Sequence, residues 1–474
     1  MTRKLDVDLC VIGAGSAGLT MAAGGSQLGA KTVLIEAGEM GGDCLNTGCI
    51  PSKALIAAAH AAQTVREAGR FGVNAGPPKI DFLAVHDHVH GVIAGIAPND
   101  SVSRFEGLGV TVIREHARFV GPREIAAGET KIRAKRIVVA TGSRAGVPPI
   151  PGLDKTPFLT NETIFERRQA PEHLIVIGGG PIGAELAQAH RRLGSKVTIL
   201  EMFTILAKDD PELVDILRTR LKGEGIDIRE GIKIEKVAKK GKSVAVTITE
   251  DSKRLVIEGS HILVAAGRRA NVEGLELETA GVDYTKAGIT VDRRLRSSNR
   301  RVYAIGDVAG GPQFTHIAGY HAGIVIRNIL FRLPAKVDYK AMPWVTFTDP
   351  ELAHVGMSET EAREAHGEIR VLRWPFSEND RAQTERDTDG LLKAVTTKNG
   401  RVLGASILGA HAGELILPWV MAVSGGIKAS KLAGLIAPYP TRSEVTKSAG
   451  GSLYTAKLFS ERTKKVVRFL LKFA

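Results

Sequence analysis

A strand, a glycine-rich turn, a helix and an acid-terminated strand occur twice in this chain, 165 positions apart, and that repetition constrains the fold more than any other feature. In the first copy, VDLCVIG (7–13) is a short apolar, β-branched run leading into Gly13-Ala14-Gly15-Ser16-Ala17-Gly18 and an alanine-rich helical stretch. A second strand, KTVLIE (31–36), ends on Glu36. In the second copy, HLIVIG (173–178) leads into Gly178-Gly179-Gly180-Pro181-Ile182-Gly183, and KVTILE (196–201) ends on Glu201. Each acid follows its first glycine by 23 residues. The spacing has a chemical reason. The first glycine makes the tight turn, the second lets backbone N–H groups approach a pyrophosphate at the helix N-terminus, and the third lets helix and strand pack closely. The acid accepts hydrogen bonds from ribose hydroxyls. One such loop carries little weight, since glycine turns are common in α/β proteins; two, each with its strand, helix and acid, point to two dinucleotide sites.

A second echo supports two units. RIVVATGSR (136–144) and HILVAAGRR (261–269) match at an offset of 125, each a strand ending in Ala-Xaa-Gly-Xaa-Arg. VPPIPGL, with Pro148, Pro149 and Pro151, is a stiff connector between the units. The expected architecture is one dinucleotide domain carrying a second as an insertion, followed by a region after about 340 with neither fingerprint. Composition agrees: 43% hydrophobic residues, 53 glycines and 5% aromatics over 474 residues suit α/β layers and exclude disorder, collagen and coiled coil as overall descriptions. The net charge of +13 suits nucleic acid, an anionic membrane or an anionic cofactor without choosing among them. The N-terminus has the outline of a secretory signal, but Asp6 and Asp8 interrupt its apolar stretch, so a buried first strand is expected there. With three cysteines and no apolar run of about 20 residues, a cytoplasmic location is expected.

Two of the cysteines stand together in GGDCLNTGCIPSK, as Cys44 and Cys49. In an ideal helix this spacing gives about 7.5 Å of axial rise, beyond the reach of a disulfide, so a bridging pair requires a distorted segment. Gly41, Gly42, Asn46 and Gly48 permit one, and Lys53 supplies positive charge that favours thiolate. From these residues alone, a redox pair, two structural thiols and a metal pair all stay open. Cys10, in an apolar run, reads as inert packing.

GGDCLNTGCIPSK, the two fingerprints, ATGSR, VAAGRRAN and YAIGDVAGGPQFTH together resemble the class I flavin disulfide oxidoreductases: dihydrolipoamide dehydrogenase, glutathione reductase and mercuric reductase. The resemblance runs through about 450 of 474 residues in consistent order. It implies an α/β protein with two Rossmann-like dinucleotide-binding domains, for FAD and NAD(P), plus a C-terminal α+β dimerisation domain. The boundaries it suggests are 1–150 and 271–343 for the two parts of the FAD-binding domain, 151–270 for the NAD(P) domain and 344–474 for dimerisation. By this resemblance FAD sits on Gly13, Gly15, Gly18, Glu36, Gly42, Lys53, Ala117, Thr141 and Gly142, with Asp307 and Thr315 on its far side. The nicotinamide cofactor takes Gly178, Gly180, Gly183, Glu201 and Gly267. Glu201 would repel a 2′-phosphate, so NADH is expected in preference to NADPH. Cys49 then faces the flavin and Cys44 attacks the substrate, while Lys53 and Glu185 pair beside the flavin. No resident metal is implied. A homodimer is expected, its active site shared across the interface.

The chain departs from the thiol–disulfide members at one place. They set a His-Pro-Thr…Glu segment against the partner's cysteines, the His taking the proton from the attacking thiol. Here the segment is Ala437-Pro438-Tyr439-Pro440-Thr441-Arg442-Ser443-Glu444, with Tyr439 at the His position and Glu444 retained. A phenol of pKa about 10 is a poor base near pH 7. His316, His321, His354 and His411 are candidates for a substitute. The segment resembles mercuric reductase, yet the C-terminal cysteine pair of that enzyme is absent, the last cysteine being Cys49, and no metal-carrier domain is expected before the first strand. The expected function is an FAD-dependent NAD(P)H oxidoreductase with a redox-active disulfide, reducing a disulfide, metal ion, quinone or other electrophile. The alternatives are a dihydrolipoamide dehydrogenase of a 2-oxo acid dehydrogenase complex, and a non-enzymatic regulatory flavoprotein. The substrate is a small molecule or an ion, and no nucleic acid partner is expected. The tail from Glu461 to Ala474 reads as a basic amphipathic helix, with Phe459, Val466, Leu470 and Phe473 on one face, suited to pack on the dimer or make weak contact with an anionic membrane surface.

Overall fold

Strands that are apolar on both faces belong inside a parallel sheet, and the first strand shows why. The computed structural model describes residues 3–473, the side chain of Ala456 excepted. The strand Arg3–Ile12 alternates in exposure over its first half and is buried from Leu9 onward. There Cys10 lies between Val33 on one neighbour and Ile137 on the other, both parallel. It begins four residues before the run expected from hydropathy, because Arg3 to Asp6 pair with Thr130 to Arg133. Asp8, within that run, reaches Lys135 at 2.6 Å.

The chain divides into two units. The first comprises residues 3–179, 189–202 and 231–337. Its main sheet runs in the order Thr111–Ile113, Thr32–Ile35, Arg3–Ile12, Thr130–Val139, Glu124–Ala127, Ala117–Gly121, with Val302–Ala304 also pairing to Thr130–Val139. That last strand returns to the sheet from beyond the second glycine fingerprint, so the second strand set is inserted within the first. In the inserted set, His173–Ile177 runs parallel to both Lys196–Leu200 and His261–Val264. An antiparallel ribbon, Lys233–Lys240, Ser243–Glu250 and Lys253–Gly259, packs in the same core. The proline connector is pinned rather than free. Val237 N–H donates to Pro151 O at 2.9 Å, and a Cβ on Gly152 would lie 2.2 Å from Val237 O. The two Ala-Xaa-Gly-Xaa-Arg echoes pair with each other: Ser143–Ala145 and Arg268–Ala270 form an antiparallel ladder with Arg144 opposite Arg269.

The second unit comprises 180–188, 203–230 and 338–473. Its antiparallel sheet has the order Pro343–Thr346, Glu351–Gly356, Val402–Gly409, Leu391–Thr397, Ile369–Pro375. Trp419 fills its core, fully buried, with Nε1 donating to Thr446 Oγ1 at 3.2 Å. Buried Lys393 meets Asp210, Glu212 and Glu359 at 2.8, 3.0 and 3.1 Å, a cation surrounded by enough carboxylates to be held charged. The tail forms the helix Glu461–Leu470, capped by Ser460 Oγ, which accepts from Thr463 N. That cap separates Phe459 from the tail, so Phe459 ends the preceding helix instead of sharing a face with Val466, Leu470 and Phe473. All four are exposed. Among the described residues no helix is long and apolar enough to cross a membrane.

Candidate redox site

The first glycine loop is set by backbone clashes. Gly13 has φ +104°, and a Cβ there would lie 2.4 Å from Ala140 O; one on Gly18 would lie 1.8 Å from Gly13 O. Those two glycines are needed by the fold itself. Gly15 is different, for a Cβ there would meet only Gly42 Cα, at 3.9 Å, so its face of the loop is open. Glu36 closes the rim: its carboxylate accepts from Ala14 N and, at 2.6 Å, from Gly38 N. The second loop repeats this. Gly178 has φ +107° with Ala265 O at 2.5 Å from its would-be Cβ, Gly180 has nothing within 4 Å, and Glu201 accepts from Gly179 N at 2.7 Å. Gly183 is buried in the following helix. Both loops thus present bare backbone where an anion can approach a helix N-terminus.

The cysteines lie on the turn that follows Glu36. Gly41, at φ +88°, starts the short helix Gly42–Asn46, which carries Cys44. The helix breaks at Thr47 and Gly48, and a new one, Cys49–Glu67, begins on the second cysteine. This break is the distortion the spacing demanded. Gly48 is required because a Cβ would sit 2.8 Å from Asp43 O, and Gly42 because one would sit 2.7 Å from Gly15 Cα. Asn46 braces the turn through Met40 O and Gly42 O. Asp43 accepts from Thr47 Oγ1 at 2.9 Å and from Asn161 Nδ2 at 3.0 Å.

Both thiols are free and hydrogen-bonded to each other. Donation from Cys44 is the largest influence pulling Cys49 down to about 6, helped by Thr315, whose Oγ1 lies 3.2 Å from Cys49 Sγ, and by the Lys53 charge. Cys44 moves the opposite way, its proton held by that same bond and by burial. The pair therefore loses its first proton easily, from Cys49, and its second with difficulty. Lys53 stands one turn after Cys49, with Nζ 3.3 Å from Ser52 Oγ. Cys10 is fully buried and pushed up to about 12, an inert thiol as expected.

Asp307 accepts from Ser143 Oγ at 2.5 Å, and burial raises its carboxyl. Arg268 ties the region together: its guanidinium pairs with Asp43 at 3.1 Å, lies 3.7 Å from Asp307, and donates to Ser143 Oγ and O. Sequence reasoning missed Arg268 as a site residue. Its signal was the 125-residue echo, in which Arg268 and Ser143 hold equivalent positions. Thr141 donates to Asn271 O at 2.7 Å, and Gly142 and Gly267 take positive φ, at +67° and +115°. Ala117 is buried in the same core cluster as Ile12 and Ile35.

In the second unit, buried Glu185 accepts from Phe347 N at 2.9 Å, and Gln188, one turn on, brackets Asp349 through N and O. Tyr439 is exposed, and its hydroxyl donates to Asp380 Oδ2 at 2.8 Å, which raises the phenol further above its ordinary value. Asp380 had no sequence signal. Glu444 opens the helix Glu444–Leu458 and accepts from Thr441 N at 3.4 Å. Three of the four candidate histidines have side-chain partners elsewhere. His354 is buried between Ser406 Oγ and Gly356 O, and burial lowers its pKa. His321 is buried, pulled down to about 4, and accepts from Gly306 N. His316 stacks on Phe314, and His411 stands at the N-cap position of a short helix at positive φ without a side-chain cap hydrogen bond.

Comparison with known proteins agrees with this geometry. The family described as pyridine nucleotide-disulphide oxidoreductase matches residues 7–322, and its dimerisation domain matches residues 342–449. Mercuric reductase of Staphylococcus aureus is 34% identical over 450 residues, covering 94% of this chain and 82% of the relative. Dihydrolipoyl dehydrogenase of Thermus scotoductus is 38% identical over 459 residues, covering 94% and 97%. Among solved structures, the HOCl-induced flavoprotein disulfide reductase RclA of Escherichia coli superposes with a TM-score of 0.84 at 30% identity, covering 94% of this chain and 99% of that one, and its Cu(II) complex gives the same score. This chain belongs to the pyridine nucleotide-disulphide oxidoreductase family and is an FAD-dependent flavoprotein disulfide oxidoreductase.

Proposed function

We propose that the protein works as a homodimer, takes its electrons from NADH, and delivers them through Cys44 and Cys49 to a thiophilic metal ion such as Hg²⁺ or Cu²⁺. The bare faces of Gly15 and Gly180 are the cradles that a Cβ would fill, so the residues present fit FAD on the first loop and the pyridine nucleotide on the second. Gly13, Gly15, Gly18, Glu36, Gly42, Lys53, Ala117, Thr141, Gly142, Asp307 and Thr315 would hold FAD; Gly178, Gly180, Gly183, Glu201 and Gly267 would hold NADH. FAD held there would supply a two-electron carrier between the nicotinamide and the Cys44–Cys49 pair. Glu201, an acceptor-only carboxylate, suits ribose hydroxyls and opposes a 2′-phosphate.

The observation that carries the choice of substrate is the Tyr439–Asp380 hydrogen bond. Cys49, stabilised by Cys44, Thr315 and Lys53, supplies its thiolate without a separate base, but Cys44 keeps its proton. Exchange with a dithiol or disulfide needs a base for that proton, and a phenol held protonated by Asp380 is not one. A soft metal ion needs none, because coordination expels the thiol proton outright. The balance is NADH + Hg²⁺ → NAD⁺ + Hg⁰ + H⁺, or two Cu²⁺ reduced to two Cu⁺ per NADH. Relatives named mercuric reductase and the Cu(II) complex of RclA support this reading. The identity to dihydrolipoyl dehydrogenase and the retained Glu444 favour a second one, dihydrolipoamide oxidation.

Steady-state NADH oxidation with Hg²⁺ or Cu²⁺, set beside NAD⁺ reduction by dihydrolipoamide, separates the two. Metal-dependent turnover with weak dithiol activity is expected. Tyr439→His, beside the retained Glu444, should raise dihydrolipoamide oxidation about 10²-fold while leaving flavin reduction by NADH unchanged. Robust wild-type dithiol turnover, with none on metal ions, overturns the assignment.

A further inference from the structure

A cluster of metal-ligating side chains lies on residues that the redox chemistry does not use. The helix Phe82–Ile96 begins at Asp81, whose carboxylate caps Leu83 N and Ala84 N at 3.1 Å each. His86 and His90, four residues apart, share one face of it, with ring centroids 4.2 Å apart. Glu166 comes to this face from the short turn Ile164–Glu166. One ligand atom from each of His86, His90 and Glu166 falls within 4.8 Å of the other two. His90 Nε2 stands 3.7 Å from Glu166 Oε1 and 3.3 Å from Phe165 O.

We propose that His86, His90 and Glu166 bind a divalent transition-metal ion of the class that takes imidazole and carboxylate ligands, Zn²⁺, Ni²⁺ or Cu²⁺. Two histidines one helical turn apart with a carboxylate from a separate segment form a three-ligand set that leaves a position for water. The supporting shell is present too. His86 Nδ1 lies 2.9 Å from Asp87 Oδ1, and an imidazole that donates from Nδ1 to a carboxylate presents Nε2 as its ligand atom. The His86 side chain is only 9% exposed, so its orientation is set by packing, whereas Glu166, at 64%, is free to swing onto an ion. Ligand atoms around a tetrahedral ion stand about 3.3 Å apart, so Glu166 closes on the ion by side-chain rotation and the two imidazoles by small ring adjustments.

The site also has a position that gives it consequence. Glu166 and Asn161 lie on one connector, and Asn161 Nδ2 donates to Asp43 Oδ1 and Thr47 O, on the turn that carries the two cysteines. A metal ion at His86, His90 and Glu166 fastens the other end of that connector to the helix Phe82–Ile96. It acts as a clip, with no electron transfer of its own.

The test uses untagged, flavin-loaded protein carrying Cys44→Ser and Cys49→Ser, so that the redox thiols do not compete for the probe, and Cu²⁺ alone as the probe. One Cu²⁺ per chain should bind at micromolar or lower concentration, with an electron paramagnetic resonance spectrum showing two coupled nitrogens. His86→Ala with His90→Ala should abolish that signal, and Glu166→Gln should weaken binding by about 10-fold or more. In protein with its cysteines intact but alkylated, Zn²⁺ should raise Tm by several degrees, and it should not do so in the His86→Ala, His90→Ala variant. Flavin content and circular dichroism confirm that each variant is folded; Glu166→Gln, at an exposed position, keeps the test open if the histidine variant is not. No binding below about 100 µM, or binding indifferent to all three substitutions, shows the cluster to be a packed pair of imidazoles and overturns the proposal.

Discussion

The two glycine loops are built alike and finished differently. In each, the first glycine is forced into positive φ against a facing carbonyl, the middle glycine is bare, and the strand-end glutamate accepts from an N–H of the loop. After Glu36, however, the chain turns back over the loop. Gly41 N donates to Ala14 O, and Gly42 packs so closely on the loop that a side chain there would have to displace Gly15. Cys44 follows two residues later. After Glu201 no such return is seen among the described residues, and Met202 and Phe203 are exposed. The first loop is welded to the redox turn, as suits a cofactor that stays. The second carries no such weld among the described residues.

The largest effect should come from breaking the weld. Gly42→Ala places a methyl against Gly15 Cα at a backbone conformation only glycine adopts easily, so the loop and the cysteine turn must move together. The purified protein should lose most of its flavin absorbance and its fast-reacting thiol. At the equivalent bare position of the second loop, Gly180→Ala should leave flavin content and Tm nearly unchanged, because nothing lies within 4 Å of the new methyl. It should raise KM for NADH about 10-fold or more by filling the space a pyrophosphate needs. Equal effects of the two substitutions, in either direction, would erase the distinction between them.

Glu201→Gln sharpens the comparison on the nucleotide side. Removing the negative charge should cut the NADH over NADPH preference in kcat/KM by about 10-fold, since it costs one hydrogen-bond acceptor and relieves repulsion of a 2′-phosphate. Glu36→Gln should leave that ratio unaltered. The smallest effect is read on the redox turn itself. In reduced protein, alkylation of Cys49 by iodoacetamide should follow a titration centred at about 6, while Cys10 does not react. Thr315→Val removes a group that stabilises the thiolate, so the titration should move up by about one pH unit, equivalent to about 1.4 kcal/mol. Labelling should therefore slow about three-fold at pH 6.5 and stay constant at pH 9, where either protein is fully thiolate.

Much of the fold was legible because it is local. Gly18, Glu36 and Glu201 are dictated by a backbone clash and by hydrogen bonds within one strand–turn–helix unit, and these leave a fixed spacing in the chain. The carbonyls that force Gly13 and Gly178, by contrast, come from Ala140 and Ala265 at the ends of distant strands. The break between Cys44 and Cys49 could be inferred from the pitch of a helix and the glycines between them. Arg268 was half legible, its motif repeating that of Ser143, but only the antiparallel pairing of the two echoes reveals that the two residues meet. Asn161, which bonds to the cysteine turn from more than a hundred residues away, left no trace in spacing or composition.

The C-terminal region teaches the same lesson from the other side. Tyr439 could be singled out from the sequence as a missing base, since ionisation is a property of the side chain. That its hydroxyl is engaged by Asp380, 59 residues earlier, is a property of the fold. Likewise His86 and His90 lie on one helical face by periodicity alone, but Glu166 joins them only through tertiary packing. By itself, then, the sequence determined two dinucleotide loops, the order of strands and helices around them, and a cysteine pair on a broken helix, because each depends on backbone geometry over a few residues. Tertiary structure alone decided which thiol is the anion, which carboxylate holds Tyr439, and which side chains from distant segments share a face. Those depend on distances between parts of the chain that no local spacing encodes.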